Sequence, residues 1–301
     1  MMWIALAFLS ASLLGLYDVA KKQSLRDNAV LPVLMINTAV CALFFLPLII
    51  GSLAGYSSVI PVAGWEAHRL VLLKALIVLS SWVCGYYAMK HLPLTLVGPI
   101  NATRPVMTLV GALLIYGESL NSWQWAGVLL ALLSIFLLNR SGKKEGIRFT
   151  HNIWILLLVL AAVLGAMSGL YDKYLMAPVS AAGAGLDRYF VPGWYNIYQA
   201  LMMGAVMALI WYPTRHRTTP FRWRWSILFI SIFLTLADMA YFYALSSPDA
   251  LIAVVSMVRR GSVLVSFLFG AWLFHEKNLR AKAFDLFLVL LGMVCLYVGT
   301  R

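Results

Sequence analysis

The amino-acid sequence predicts an all-α integral membrane protein with ten transmembrane helices, arranged as two inverted five-helix repeats. The first observation is the composition: 62% of the 301 residues are hydrophobic and 11% are charged, with a mean hydropathy of +0.87. A soluble domain carries about 25% charged residues. The second observation is a series of ten apolar segments, and the third is an ordered set of motifs that occurs twice.

A transmembrane helix needs about 20 predominantly apolar residues. By this rule the predicted helices cover residues 2–20, 29–53, 72–89, 94–117, 122–138, 153–171, 189–212, 225–245, 250–274 and 283–299. The connections between them are short, which leaves no room for a soluble domain. The sequence therefore divides into a first five-helix repeat (1–139), a basic linker loop (140–152) and a second five-helix repeat (153–301).

Four motifs recur in the same order in the two halves. "GLYD" occurs at 15–18 and 169–172, late in the first helix of each half. The later pairs are "GYYAMKHLP" (85–93) with "AYFYALSSP" (240–248), "ATRP" (102–105) with "VRRG" (258–261), and "GESL" (117–120) with "HEKNL" (275–279). Because five helices per half is an odd number, the second half enters the membrane in the opposite direction. Inverted repeats of this kind are typical of secondary transporters, which hold substrate between the halves.

This order of motifs resembles the drug/metabolite transporter superfamily, in particular its EamA-like ten-helix members. The most specific features are Glu118 and Glu276, which follow the fourth and ninth helices, and the small residues Ser134 and Gly292 in the helices after them. The resemblance implies a ten-helix bundle whose central cavity is lined largely by the first, third and fourth helices of each half. It leaves the substrate open, because the superfamily moves amino acids, nucleotide sugars, sugar phosphates, cations and drugs.

The basic residues are distributed unevenly among the connections. Fifteen lie on the side of the loop between helices 1 and 2, and five lie on the other side. The positive-inside rule then predicts that both termini are non-cytoplasmic, whereas the resemblance implies cytoplasmic termini, so the orientation stays open. The expected location is the plasma membrane, as a multi-pass protein of a bacterial inner membrane. Nucleic-acid binding is not expected, because the net charge of +12 is dispersed among short loops.

Three arginines, Arg104, Arg259 and Arg260, lie inside predicted helices. A charge at the bilayer centre costs at least about 2.5 kcal/mol and usually indicates a functional site. Arg104 and Arg260 occupy equivalent positions in the repeats, and each is followed by a residue that disrupts helices, Pro105 or Gly261. Since such transporters bind substrate at broken helices between the repeats, this pair is predicted to form one site.

Asp238, in the eighth helix, can neutralise one of the adjacent arginines. Neighbouring residues on a helix point about 100° apart, so Arg259 and Arg260 are expected to have different roles. The preferred assignment places Arg104 and Arg260 in the cavity and pairs Arg259 with Asp238, and the reverse assignment of Arg259 and Arg260 is the alternative. A guanidinium group matches carboxylate or phosphate geometry, which predicts an anionic substrate group. The competing interpretation is that all three arginines form internal ion pairs.

Aromatic and carboxylate side chains complete the predicted site. Trp82 and Tyr86 lie one turn apart on one face of the third helix, and Tyr241 and Asn101 are assigned to the same cavity. For any single aromatic, ordinary helix packing is the favoured explanation. The paired "GLYD" segments supply candidate gating or proton-coupling residues: Tyr17, Asp18, Tyr171 and Asp172. The alternative for the two aspartates is local ion pairing, because Lys21 and Lys22 follow Asp18 by one turn.

Taken together, these features predict a secondary active transporter with alternating access for a small anionic or zwitterionic metabolite, with export or exchange favoured over uptake. A flippase of a lipid-linked anionic substrate is the main alternative, and a channel or an integral membrane enzyme has less support. The histidines form no metal-binding pattern and no Walker-type loop occurs. Cys41, Cys84 and Cys295 show no pairing pattern. No cofactor or metal is expected, the partners are a small-molecule substrate and the bilayer, and a monomer is expected to function.

Overall fold

A computed structural model describes residues 2–56, 59–104, 106–107, 110–111, 121–143, 152–176, 179–181, 183–187, 189–245, 258–276 and 279–299. These residues form helices and connections, and no strand occurs among them. The helices are α1 (Met2–Leu25), α2 (Val30–Leu53), α3 (Trp65–His91), α4 (Leu94–Ala102), α5 (Ser122–Lys143), α6 (Ile153–Met176), α7 (Phe190–Val206), α8 (Ser226–Leu245), α9 (Ser262–Leu273) and α10 (Leu279–Gly299). A wide turn at Met207–Trp211 extends α7 toward Arg215–Arg217.

Within these ranges, five helical stretches are long and apolar enough to cross a membrane: Val30–Leu53, Trp65–His91, Ile153–Asp172, Phe190–Arg217 and Leu279–Gly299. Two shorter apolar helices, Ser122–Ser134 and Ser226–Tyr241, accompany them. The chain is therefore a multi-pass membrane protein. The count of ten crossings stays a prediction, because parts of the fourth and ninth predicted helices (105, 108–109, 112–117 and 250–257) lie outside the described residues, as does most of the predicted linker.

Several helices are longer than their apolar cores predict. The first helix continues from residue 20 to Leu25, the third begins at Trp65 rather than 72, and the tenth begins at Leu279 rather than 283. The side chains of Lys21, Lys74 and Lys282 are at most 8% exposed. The predicted third helix already contained Lys74, but Lys21 and Lys282 were assigned to loops and lie within helices. That assignment was wrong because a lysine can follow an apolar surface along its methylene stem while its ammonium group reaches a polar partner.

The most extensive helix contacts join the two halves of the chain. The helix α1 packs along α8, α3 along α6, α2 along α7 and α5 along α10, and α4 crosses α9. Each pair takes one helix from residues 2–143 and one from residues 153–299. If α1–α5 are exchanged for α6–α10 in order, the pair α1–α8 becomes α6–α3 and the other three pairs map onto themselves.

Small residues allow the backbones of these pairs to approach closely, as is common in membrane bundles. A Cβ atom on Gly127 of α5 would lie 2.7 Å from the carbonyl oxygen of Gly292 in α10. In the same pair the Ser134 hydroxyl donates to the Asp285 carbonyl over 2.8 Å. The helices α1 and α9 are equally close, since a Cβ on Gly15 would lie 2.4 Å from Cβ of Val265.

Glu276 connects the start of α4 to the segment between α9 and α10. Its carboxylate accepts hydrogen bonds from the backbone N–H groups of Leu94 (2.6 Å) and Thr95 (2.8 Å) and from the Thr95 hydroxyl. Lys282 donates to the same hydroxyl over 3.0 Å. A carboxylate at this position satisfies N–H groups that a helix N-terminus leaves without partners. The corresponding residue of the first repeat, Glu118, lies outside the described residues.

Candidate functional site

A cavity of about 350 Å³ lies at the centre of the bundle, between α1, α3, α4, α8 and the start of α9. We call it the arginine cavity. Three of the predicted site residues, Asp172, Tyr171 and Asp238, are not part of its wall. Its lining includes the other nine: Tyr17, Asp18, Trp82, Tyr86, Asn101, Arg104, Tyr241, Arg259 and Arg260.

Both arginine-bearing segments are interrupted beside the cavity. The helix α4 ends at Ala102, and a turn at Thr103 precedes Arg104. On the other side of the cavity, Arg259 and Arg260 are helical, and a turn at Gly261 precedes α9. The segments cross closely, because a Cβ on Gly98 would lie 3.0 Å from Cγ1 of Val263. This crossing brings arginines that are far apart in sequence to one cavity.

Arg259 is paired as the preferred assignment predicts. Its guanidinium donates a hydrogen bond to Asp238 and forms an ion pair with it, joining the α9 segment to α8. Its Cζ also lies 4.3 Å from the centroid of the Tyr241 ring, within the range of a cation–π contact. One nitrogen of Arg259, Nε, is buried and has no hydrogen-bond partner among the described residues.

Arg260 and Arg104 face the arginine cavity from its two sides. Arg260 lies between helices but is exposed, and its side chain lines the cavity. No hydrogen bond or ion pair of Arg260 occurs within the described ranges. The Arg104 guanidinium lies against α6 at Gly165, where a Cβ would be 3.1 Å from both Cζ and Nη1. Gly165 therefore makes room for the guanidinium group.

Lys21 is a fourth cation in the cavity wall, and the sequence did not single it out. Its ammonium group lies 3.5 Å from Oδ1 of Asp18, donates to the Tyr17 hydroxyl over 3.3 Å, and lies 4.9 Å from the centroid of the Tyr86 ring. The available signal was the spacing of three and four residues from Asp18 and Tyr17, which places the side chains on one helix face. The local pairing of Asp18 is thus present, within the cavity itself.

Polar side chains hold the aromatic wall in place. Asn37 of α2 donates to the Tyr86 hydroxyl over 3.0 Å, and the Ser231 hydroxyl of α8 donates to Oδ1 of Asn37 over 3.0 Å. Tyr86 is 1% exposed, so it supports the wall more than it presents surface to the cavity. Near the arginines, Oδ1 of Asn101 is buried without a hydrogen-bond partner in the described part of the chain. It is available to a donor group on a ligand.

The second "GLYD" segment lies away from the arginine cavity. Asp172 forms an ion pair with Lys74 of α3, and the Tyr171 hydroxyl donates to the Leu70 carbonyl over 3.3 Å. The two copies of the motif therefore have different surroundings, one in the cavity wall and one at the contact of α3 with α6. A gating or proton-coupling role for either copy stays a prediction.

Charge distinguishes the arginine cavity chemically. Among the described lining residues, the cations Lys21, Arg104, Arg259 and Arg260 face one carboxylate, Asp18. Even with Asp238 counted against Arg259, positive charges exceed negative ones by two among these described side chains. No group of three or more metal-ligating side chains occurs among the described residues. The arrangement can therefore hold an anionic group at the centre of the bundle.

A second cavity of about 430 Å³ lies between α2, α7 and α8. We call it the lateral cavity. Its wall is largely apolar, and it includes Asp238 and Leu234. Leu234 also lines the arginine cavity, so the two cavities meet at this residue.

Comparisons with known proteins agree with this architecture. No curated protein matches the chain significantly. The fold is similar to that of a crystal structure whose description names no specific protein. The two superpose with a TM-score of 0.60 and 16% sequence identity, over 97% of this chain and 96% of the other. At this identity the likeness shows the fold alone, and it extends over both halves. The model of the EamA-like transporter family matches residues 1–140. Residues 1–140 thus place the chain with the EamA-like transporters of the drug/metabolite transporter superfamily, as the motifs of this half predicted.

Proposed function

We propose that this protein is a secondary active transporter that moves a small anionic or zwitterionic metabolite across the membrane, by export or exchange. The observation that carries the proposal is the convergence of Arg104, Arg259, Arg260 and Lys21 on one central cavity. Arg260 and Arg104 bind the acidic group of the substrate from the two sides. Trp82 and Tyr241 pack against the rest of it, and the buried oxygen of Asn101 accepts a hydrogen bond from it.

Electrostatics supports an anion rather than a neutral ligand. Arginine stays charged at every physiological pH, and inside a bundle two like charges repel far more strongly than in water. An anion that enters the cavity relieves this repulsion and gains charge-assisted hydrogen bonds. The ion pair with Asp238 holds Arg259 in place, which leaves Arg260 oriented toward the ligand.

The mechanism we propose is alternating access of the arginine cavity to the two membrane sides. The helix pairs α1–α8 and α3–α6 exchange when the halves are exchanged, which supports the inverted repeat. A turn interrupts each arginine-bearing segment next to the paired arginine, at Thr103 just before Arg104 and at Gly261 just after Arg260. We place the protein in a bacterial inner membrane as a functional monomer, because the two fused halves already supply both walls of the cavity.

A thermal-shift experiment on purified protein tests the anion site. Ligands that bind only the folded state raise the unfolding midpoint by mass action. The panel holds phosphate, ethyl phosphate, propionate, amino acids, organic acids, sugar phosphates and nucleotides, with organic cations as the opposite-charge set. We expect at least one anion to raise the midpoint of the wild type, and Arg260→Gln to bind it about 10- to 100-fold more weakly, since charge-assisted hydrogen bonds contribute about 1.5–3 kcal/mol.

Two further variants distinguish the shape of the Arg260 guanidinium from its charge, and both from the effect of removing any exposed arginine. Arg260→Lys keeps the charge and loses the planar fork, so its affinity should lie between those of the wild type and Arg260→Gln. Arg280→Gln alters an exposed arginine of α10 that does not line the cavity, and should behave as the wild type. Stabilisation by cations alone, or unchanged anion affinity in Arg260→Gln, would contradict the proposal.

Counterflow in proteoliposomes tests the transport step. Vesicles preloaded with the stabilising anion should take up its labelled form faster than empty vesicles. In an alternating-access carrier, the unlabelled anion inside binds the inward-facing site and is carried out, which returns the site to the outside for the next labelled anion. Equal, unsaturable uptake by loaded and empty vesicles would instead indicate a channel.

A flippase of a lipid-linked anionic substrate is the second candidate. The lateral cavity favours it, because its wall is largely apolar and several of its apolar side chains are exposed.

A further inference from the structure

The lateral cavity has an apolar outer end. Phe44 and Leu48 of α2 and Met239 of α8 line it and are 49%, 41% and 55% exposed, respectively. Side chains that are exposed on the outer surface of a membrane bundle face the hydrocarbon of the bilayer. The outer end of the cavity is therefore open and apolar, which suits the hydrocarbon chain of a ligand.

The inner end of the lateral cavity is polar. Thr235 and Asp238 of α8 and Asn196 of α7 lie in its wall, with Cys41 of α2 beside them. Asp238 is the ion-pair partner of Arg259, which lines the arginine cavity. Together with the shared Leu234, this pair marks the place where the two cavities adjoin.

We propose that the substrate is an amphipathic anion whose charged group binds in the arginine cavity and whose apolar chain lies in the lateral cavity. The ligand class is a phosphate or carboxylate that carries an alkyl or aryl chain. The proposal rests on the proposed function, since it requires the anion site. It adds a second subsite, which extends the ligand past Leu234.

The polarity of the cavity wall indicates whether a substrate chain or the acyl chain of an ordinary bilayer lipid occupies the lateral cavity. A bilayer lipid keeps its head group at the membrane surface, so the end of its acyl chain would meet Asp238, Thr235 and Asn196. Burying polar groups against hydrocarbon is unfavourable. A substrate whose head group lies beside Arg260 places the polar junction of head and chain at this inner end and its apolar end at Phe44 and Met239. The polarity of the wall matches the second arrangement.

Size supports the same assignment. Ligand sites occupy about 300–1,000 Å³, and the arginine cavity alone, at about 350 Å³, is near the lower limit. The lateral cavity adds about 430 Å³. If it receives an alkyl chain, each added methylene should tighten binding about fourfold until the cavity is filled.

The test uses n-octyl phosphate and octanoate, each with a diazirine on the terminal carbon, and maps the photo-crosslinks by mass spectrometry on wild-type protein in nanodiscs. We expect labelling at Phe44, Phe45 or Met239, and we expect an excess of ethyl phosphate or propionate to suppress it, because the short anion displaces the shared head group. Labelling spread over lipid-facing residues such as Leu201 and Leu209, or not suppressed by the short anion, overturns the proposal.

The short anions also separate this proposal from the proposed function. If ethyl phosphate or propionate stabilises the protein but the chain labels only lipid-facing residues, the anion site stands and the lateral subsite fails. If no short anion stabilises the protein and none suppresses labelling, the proposed function fails and this inference fails with it.

A matched pair of variants gives an independent measurement. Leu48 and Leu46 both lie on α2 and are 41% and 38% exposed, but only Leu48 lines the lateral cavity. Leu48→Trp should reduce the affinity for octyl phosphate by about tenfold or more and leave that for ethyl phosphate unchanged. Leu46→Trp should change neither affinity. Equal effects of the two variants on octyl phosphate would contradict the assignment.

Discussion

Lys74→Met alone should lower the midpoint of thermal unfolding by several degrees, and the addition of Asp172→Asn should restore most of the loss. The ion pair of Lys74 with Asp172 joins α3 to α6, and the two side chains are 8% and 35% exposed. Breaking a fully buried ion pair costs 3–5 kcal/mol, because it leaves one charge without compensation. Since Asp172 is partly accessible, we expect a smaller loss of about 2 kcal/mol, which corresponds to several degrees in a chain of this size.

The double variant isolates the pairing from other losses. Lys74 also lies 5.3 Å from the centroid of the Tyr195 ring, so part of its contribution is independent of Asp172. A double-mutant cycle separates the ion pair from the other contacts of Lys74. The effects of the two substitutions on the free energy of unfolding add unless the two side chains interact. Losses that simply add in the double variant would show that the ion pair contributes nothing.

The same double variant tests whether Asp172 carries protons. If Asp172 is a structural partner of Lys74, transport driven by a pH gradient persists in the double variant. If Asp172 is a proton-coupling residue, that transport is lost while counterflow continues.

Gly15→Ala should destabilise the protein by about 3 kcal/mol and weaken anion binding at the same time. The new Cβ would lie 2.4 Å from Cβ of Val265 and 2.9 Å from the Ser262 carbonyl oxygen, so α1 and α9 have to separate. Overpacking of this kind costs about 1–3 kcal/mol, and backbone contact places this site at the upper end. The helix α1 carries Asp18 and Lys21, and Arg260 lies just before α9, so separation of the two helices changes the spacing of the charges in the cavity.

A glycine with room beside it is the matched control. At Gly204 in α7 a Cβ would lie 4.0 Å from its nearest neighbour, Cε of Met35, which is an ordinary contact. Gly204→Ala should be neutral or stabilising, because alanine favours a helix by about 1 kcal/mol over glycine. In the clashing site, Val265→Gly should recover part of the stability lost in Gly15→Ala. Unchanged unfolding and unchanged binding in Gly15→Ala would show that the helices do not approach as closely as described.

The sequence predicted the wall of the arginine cavity better than it predicted the ends of helices. Arg104 and Arg260 were recognisable because a permanent charge inside an apolar segment is costly and usually indicates a functional site. Their equivalent positions in the two repeats indicated that they belong to one site. Trp82 and Tyr241 followed from their positions relative to the same repeat. These inferences depend on local pattern, which the fold preserves.

Lys21, Lys74 and Lys282 show where such reasoning stops. Hydropathy does not predict that a lysine within or beside an apolar helix is buried, but each of these lysines has a partner that makes burial possible. The partner of Lys21 is one turn away, whereas those of Lys74 and Lys282, Asp172 and Thr95, are separated from them by 98 and 187 positions. Contacts at such separations arise from tertiary packing and leave no local signal. The different surroundings of the two "GLYD" copies have the same origin.

The pairing of helices between halves also constrains how the chain folds as it is synthesised. The Ser10 hydroxyl of α1 donates to the carbonyl of Ala237, 227 positions later, and Ser24 donates to Ser226. When α1–α5 have entered the membrane, their main contact faces have no partners until α6–α10 arrive, and contacts of such long sequence separation form late. A nascent chain arrested after residue 143 should therefore be open to protease and to thiol reagents at Cys41, which is 3% exposed in the finished protein. Protection of Cys41 in the arrested chain would show that the first half folds by itself. Completion of the second half, rather than insertion of the first, is then the step that commits the polypeptide to its folded state.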